Sequence, residues 1–259
     1  MTSTFDAKLI KEKYGVNALI LKLIAVSAMI IDHLGAAVLE YHPCMIYASK
    51  QSLQILDLFI RGIGRLAFPI FAFLIVEGFF NTRNVIKYAA RLLIFALVSE
   101  VPYDMAIFNK KVDIKHQNVY FTLLIGLISI MIADRIRMVL KIKKVKKPVE
   151  IIICYMIAVF YGLVALLLNT DYSFFGVLII FTFYYLHDDK RRCYFLNFVF
   201  ILCCGMIEIF SFPDVMLFSL YNGKHGKGLD NRFIRICFYT FYPLHLFILW
   251  VVRKYVFKY

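Results

Sequence analysis

The chain has 259 residues and a formal charge of +13; 62% of its residues are hydrophobic and 18% charged, giving a mean hydropathy of +0.75. A water-soluble domain of this size is nearer half apolar. The 26 Phe and 17 Tyr exclude a disordered chain, and the lack of a heptad or Gly-X-Y period excludes coiled coil and collagen.

What remains is an integral membrane protein: all-α, a polytopic transmembrane helical bundle of about nine or ten spans, since each crossing takes about 20 mostly apolar residues. Residues 1–18, with Lys8, Lys11 and Lys13, read as a cytoplasmic lead-in. The first span covers about 19–40. It runs past signal-peptide length through Asp32 and His33 without a clear small-residue cleavage pattern, so it is expected to be retained. The second, about 53–80, is long enough to be tilted, broken or divided at Gly62, Gly64 and Pro69. A third covers about 86–108, with Pro102 inside, and a fourth about 118–138. The basic block Lys141 to Lys147 follows, then spans at about 150–168 and 173–187, the basic turn His187 to Arg192, and a span at about 193–211. A short apolar segment at 213–221, a Gly- and Lys-containing loop and a last span at about 233–252 complete a single membrane domain with a 253–259 tail.

The Lys and Arg residues cluster between apolar runs, so they read as topology signals and not as a nucleic-acid footprint. Nine crossings with the N-terminus inside put Arg83 to Arg91, Arg135 to Lys147, Lys190 to Arg192 and Lys224 to Arg235 in the cytoplasm. Lys110, Lys111, Lys115, Arg253 and Lys254 are the exceptions. The runs lack the alternation of barrel strands, and no internal repeat points to an inverted-repeat transporter. Cys44, Cys154, Cys193, Cys203, Cys204 and Cys237 lie mostly in apolar segments without a C-x-x-C pair, which indicates neither a disulfide framework nor a metal site.

A charge in hydrocarbon needs a partner or a wet cavity, and several together argue for a polar chamber where distant segments converge. Asp32 and His33 lie in the first span, Arg61, Arg65 and Glu77 in the second, Arg91, Glu100 and Asp104 in the third, and Tyr242 and His245 in the last. Arg61 with Arg65, Glu100 with Asp104, and Asn118 with Thr122 share helix faces at a spacing of four, and Tyr242 with His245 at three. Each has a structural alternative. Asp32 and His33 could form a pair tied to a neighbouring Arg, though a functional role is favoured, whereas Arg65 with Glu77 or Glu100 reads equally as a buried ion pair and His245 as a satisfied core histidine. Asp104 and Lys22 lie near span ends, where they can snorkel.

Short motifs add little. Gly62 to Ala67 (GIGRLA) matches the dinucleotide fingerprint in letters but lacks the strand and crossover, so helix packing fits it better. His225 to Asp230 has an H-x-x-x-x-D spacing within a Gly- and Lys-rich loop. No H-E-x-x-H, G-x-S-x-G or Walker A sequence occurs.

The polar segments LKLIAVSAMIIDHLGA (Leu21 to Ala36), GRLAFPIFAFLIVEGFFNTRN (Gly64 to Asn84) and RLLIFALVSEVPYD (Arg91 to Asp104) resemble the TraX family of membrane proteins. So do NVYFTLLIGL (Asn118 to Leu127), DYSFFGVL (Asp171 to Leu178), LYNGKHG (Leu220 to Gly226) and FYTFYPLHL (Phe238 to Leu246), nearly end to end and in order. The resemblance implies acyl transfer from acetyl-CoA in a bacterial inner membrane. The family's namesake acetylates the N-terminal amine of conjugative pilin, and the family is grouped with transmembrane acyltransferases that use acetyl-CoA, among them lysosomal heparan-α-glucosaminide N-acetyltransferase. The acceptor here, an amine or a hydroxyl, is not encoded.

Such a transfer needs a base, oxyanion donors and a grip on a charged thioester. The sequence expectation is that His33, oriented by Asp32 or Glu100, is the base, with His245 in reserve. Adjacent residues of a helix point about 100° apart, so Asp32 and His33 cannot both serve one spot. Arg65 or Tyr242 would stabilise the oxyanion. Glu77, Glu100, Asp104 and Asn118 would hold the acceptor or the Arg side chains. Asn81, Arg83, Lys87, Asn222 and Lys224 would meet the CoA phosphates. A secondary transporter or flippase using the buried acids and His for cation or proton coupling, and a non-catalytic scaffold, are the competing readings.

Overall fold

The computed structural model describes residues 15–41, 51–226 and 231–257. The lead-in lysines, Cys44 and Asp230 lie outside them. The described residues are helical, with two isolated bridges, Val16 to Tyr221 and Gln117 to Thr170, in place of any sheet. Among the described residues ten α-helices follow one another: α1 (Ala18–Leu34), α2 (Gln51–Gly64), α3 (Ala67–Asn81), α4 (Val85–Tyr103), α5 (Val119–Ile142), α6 (Lys147–Leu167), α7 (Ser173–Tyr185), α8 (Lys190–Cys204), α9 (Pro213–Leu220) and α10 (Arg232–Val251). The stretches Ala18–Leu39, Gln54–Asn81, Lys147–Leu167 and Phe233–Val256 are long and apolar enough to cross a membrane by length and composition. Large apolar side chains face outward on these stretches and beyond them, as on α6 (Ile152, Met156, Phe160) and α4 (Ile94, Leu97, Val98). Such an apolar surface calls for lipid around it.

The chain forms two compact units, one of residues up to Leu74 together with Ile207 onward, the other of Ile75–Met206. The boundary falls inside α3.

In the first unit, the start of α1 is closed by its own distant sequence. A helix leaves its first amides unpaired. Here the Asn17 side chain accepts from the Ile20 amide, while the Ala18 and Leu19 amides donate to the carbonyls of Lys224 and His225. The expected break in the second span occurs at Arg65 and Leu66, just after two glycines that let neighbours close in. A Cβ on Gly62 would meet the Phe210 ring at 2.9 Å, and one on Gly64 would overlap the Asp32 side chain. GIGRLA is therefore a packing segment. Helix α10 continues as a π-helical turn over Val252–Phe257, past the tail boundary expected from hydropathy. This extension carries Arg253 inward: it is 1% exposed, and its guanidinium donates to the Ala37 carbonyl at 3.1 Å. Arg253, an exception to the charge rule, thus acts as a helix tie.

The second unit chains α4 to α8 through short turns, with Gly126 of α5 packed on Ile180 of α7 and Gly162 of α6 on Phe174. Asn118 caps α5 by accepting from the Tyr120 amide. In the loop after α4, Asp113 faces Lys110 Nζ at 2.8 Å. That ammonium and the Lys115 amide hold the Asp113 carboxyl below the usual carboxylate range. The ionised Asp113 offsets part of the positive charge of a loop whose lysines ran against the topology rule.

Candidate functional site

The first unit brings together side chains from α1, α2 and α10 and the turn before α9. On one face of α1, His33 Nδ1 lies 2.6 Å from His245 Nε2 of α10, a residue 212 positions away. The rings are stacked at 4.9 Å between centroids and 9° between planes. His245 Nδ1 lies 2.9 Å from the Phe241 carbonyl one turn earlier. The Tyr242 ring sits 5.7 Å from each imidazole and Phe241 stacks on His245 at 5.2 Å. Tyr242 and His245 are buried, and His33 is partly so.

Asp32, about 100° around the helix from His33, serves a second arrangement. Its Oδ1 receives Arg61 Nη1 at 2.9 Å and Arg65 Nη2 at 2.6 Å. Arg65 Nη1 reaches Glu208 Oε1 at 3.1 Å, its Nε donates to the Arg61 carbonyl at 3.1 Å, and Arg61 Nε lies 3.3 Å from Glu40. Guanidiniums suit this task because their fork presents several donors to carboxylates at once. Gly64→Ala is expected to force Asp32 out of this network and destabilise the protein by about 1–3 kcal/mol, the usual range for overpacking. Thermal unfolding in detergent checks it, and an unchanged midpoint would contradict the close approach.

Two sequence expectations are corrected here. Asp32 does not orient His33; it is committed to the two guanidiniums, and the imidazole partner is His245, while Glu100, which was the other candidate, is bonded to Asn118 within its own unit. Arg65 forms a partly buried ion pair, but with Asp32 and Glu208 in place of Glu77 or Glu100, and each of its three nitrogens carries a bond in that network. Glu208 went unnoticed, although a lone acid within the apolar stretch Phe198 to Phe212 was the available signal. Asp214, in the first turn of α9, was also missed; it is 2% exposed, and its carboxyl oxygens have no hydrogen-bond partner among the described residues.

The remaining expected residues are in the second unit or at helix ends. Glu100 accepts from the Asn118 side chain, which also donates to the Ala96 carbonyl at 2.8 Å, so Asn118 ties α4 to α5. Asp104, wholly buried, accepts the Asp113 amide at 2.6 Å. Both have structural partners where substrate contacts were expected. Asn81 donates to the Glu77 carbonyl, and Asn222 holds its turn by bonding Gly15 and Lys224 backbone atoms. Arg83, Lys87 and Lys224 are exposed.

Glu77 meets an unforeseen partner, His187, in the turn past the end of α7, with Oε1 3.0 Å from Nε2. The Glu77 hydrogen bond raises the His187 pKa above its ordinary value. A folded pKa above the unfolded one, about 6.5, makes the pair's contribution complete below that value and lost as pH rises through the raised one. The melting temperature of wild type should therefore exceed that of Glu77→Gln by more at about pH 6 than at about pH 9. An equal gap at both would refute the pairing.

Fold and site together define a class: a polytopic α-helical membrane protein with a histidine pair held between spanning helices beside a guanidinium–carboxylate network. The family model described as TraX protein matches residues 18–253, and the chain belongs to that family. It is also similar to the probable fimbrial assembly protein FimC, serogroup H1, of Dichelobacter nodosus: 27% identical over 258 residues, 90% of this chain and 94% of that protein. No solved structure matches the chain.

Proposed function

We propose that the protein is a multi-pass inner-membrane acyltransferase that moves an acetyl group from acetyl-CoA to an amine or hydroxyl acceptor, with His33 as general base. The observation that carries this reading is the histidine pair: an imidazole held at 2.6 Å by a second ring from another spanning helix. An imidazole is the side chain that most often takes the proton in general base catalysis. Family membership supports it, and the name of the Dichelobacter relative supports a pilus or fimbrial subunit as the acceptor.

The acceptor nitrogen or oxygen bonds to the thioester carbonyl carbon while its proton passes to His33. The carbon–sulfur bond then breaks, and the proton returns to the departing sulfur as free CoA thiol. Tyr242, 5.7 Å from the His33 ring by centroids, is the candidate donor to the oxyanion now that Arg65 is committed elsewhere. The exposed cation Lys224, in the same unit as His33, has the chemistry to meet a CoA phosphate. His33 lies 16 residues beyond Asn17, about 24 Å along α1 at 1.5 Å per residue, so the thioester must be carried deep.

The purified protein in nanodiscs, given acetyl-CoA and a peptide with a free N-terminal amine, should release CoA thiol and yield acetylated peptide. Asp214, a buried carboxyl without a hydrogen-bond partner among the described residues, favours the rival reading of a proton- or cation-coupled transporter. Solute uptake into liposomes with indifference to CoA would decide for that rival.

A further inference from the structure

Building on the acyltransferase reading, we infer that His245 is a positioning residue and that the working base is one atom, Nε2 of His33. Counting protons along the hydrogen-bonded chain fixes the order. A carbonyl oxygen can only accept, so His245 Nδ1, 2.9 Å from the Phe241 oxygen, carries the hydrogen. A neutral imidazole has one such hydrogen, which leaves His245 Nε2 as an acceptor. The nitrogen facing it at 2.6 Å, His33 Nδ1, must then donate. His33 thereby holds its hydrogen on Nδ1 and presents a bare lone pair at Nε2, which has no hydrogen-bond partner among the described residues.

The opposite order, with Nε2 of His33 protonated, requires an imidazolium in the pair, either His245 donating from both nitrogens or His33 itself. The charged groups around the pair oppose it. Arg61 and Arg65 are both cationic, and Asp32, the adjacent carboxylate, already receives both of them. Tyr242 and Phe241 supply rings at the pair and no negative charge. A further uncompensated cation among spanning helices is strongly disfavoured.

The arrangement does with a neutral ring what a carboxylate does behind the histidine of a Ser-His-Asp triad. It fixes the tautomer, aims the free nitrogen, and accepts from Nδ1–H when Nε2 takes the acceptor's proton. That Nδ1–H bond then becomes charge-assisted and stronger. The proton leaves Nε2 for the thiolate sulfur, and the pair returns to its starting state without a buried net charge. The other nitrogen of each ring is committed, so neither Nδ1 of His33 nor either nitrogen of His245 is available to an acceptor.

Two measurements test this. Nitrogen-15 NMR of histidine-labelled wild-type protein in nanodiscs should show His33 as the Nδ1–H tautomer; a hydrogen on Nε2 overturns the inference, whatever any variant does. In thiol-release kinetics, His245→Ala should lower kcat about 100-fold, within the range for general base catalysis, with KM nearly unchanged. His245→Gln, whose amide oxygen can accept from Nδ1–H, should recover part of the loss. A His245→Ala protein with undiminished kcat overturns the positioning role. If wild type shows the Nδ1–H tautomer but transfers no acetyl group, the acyltransferase reading falls and takes the base role with it. Transfer that proceeds with His33 protonated on Nε2 removes only the present inference.

Discussion

Replacing His33 with Ala should lower acetyl transfer by about 10²–10⁴-fold, the range that a positioned general base contributes. The loss should appear in kcat, because an imidazole that acts only when the proton moves stabilises the transition state and not the bound substrate. Binding of CoA, followed by titration calorimetry in detergent, should be nearly unchanged, since the cation assigned to a phosphate is elsewhere in the chain. His33 is partly exposed and its ring replaces no ion-pair partner, so the variant should fold. A His33→Ala enzyme retaining wild-type kcat would remove the base from the mechanism and shift attention to Asp214 and the transport reading.

The second large effect falls on stability. Arg65→Leu should destabilise the protein by about 3–5 kcal/mol, because removing one member of a buried ion pair leaves the others uncompensated. Asp32 would keep Arg61 at 2.9 Å, but Glu208, 3% exposed, would lose its bond to the Arg65 guanidinium. The double change Arg65→Leu, Glu208→Gln should regain much of the loss, since it neutralises the stranded carboxylate while Asp32 keeps Arg61. Unfolding by SDS in mixed micelles gives both values. If Arg65→Leu alone were neutral, the network would be a surface feature and not a buried one. If the double change lost as much as the single one, packing and not charge would be what Arg65 supplies.

Most of the helical order was legible because it is a local property. Apolar runs of about 20 residues have one solution in lipid, the helix that satisfies its own backbone, and most of the runs reappear as helices within a few residues; the run at 193–211 instead breaks after Cys204 into a separate 3-10 turn, Met206–Ser211. The division of the second span was legible too, since Gly62 and Gly64 leave no side chain to resist the approach of Phe210 and Asp32. The helical extension that buries Arg253 was not: Arg, Lys and Tyr lower the hydropathy of 252–257, and only the Ala37 carbonyl waiting across the unit explains why the helix continues.

The site divides along the same line. That Asp32, His33, Arg65 and His245 needed partners could be read from their place in apolar segments, because an ionisable group in hydrocarbon cannot stand alone. Which partners they take could not. Asp32 finds Arg65 across 33 residues, Arg65 finds Glu208 across 143, and His33 finds His245 across 212. Such pairings depend on which helix faces meet, and helical periodicity gives each face without giving its neighbour. Glu100 and Asp104 share a stripe, as their spacing required, yet packing turns one to Asn118 and the other to the amide of Asp113. The chain's own order of residues settles that these polar groups must be neutralised inside the membrane domain; the folding of distant helices against one another settles by whom, because hydrogen bonds are made at about 3 Å and no local pattern carries that distance.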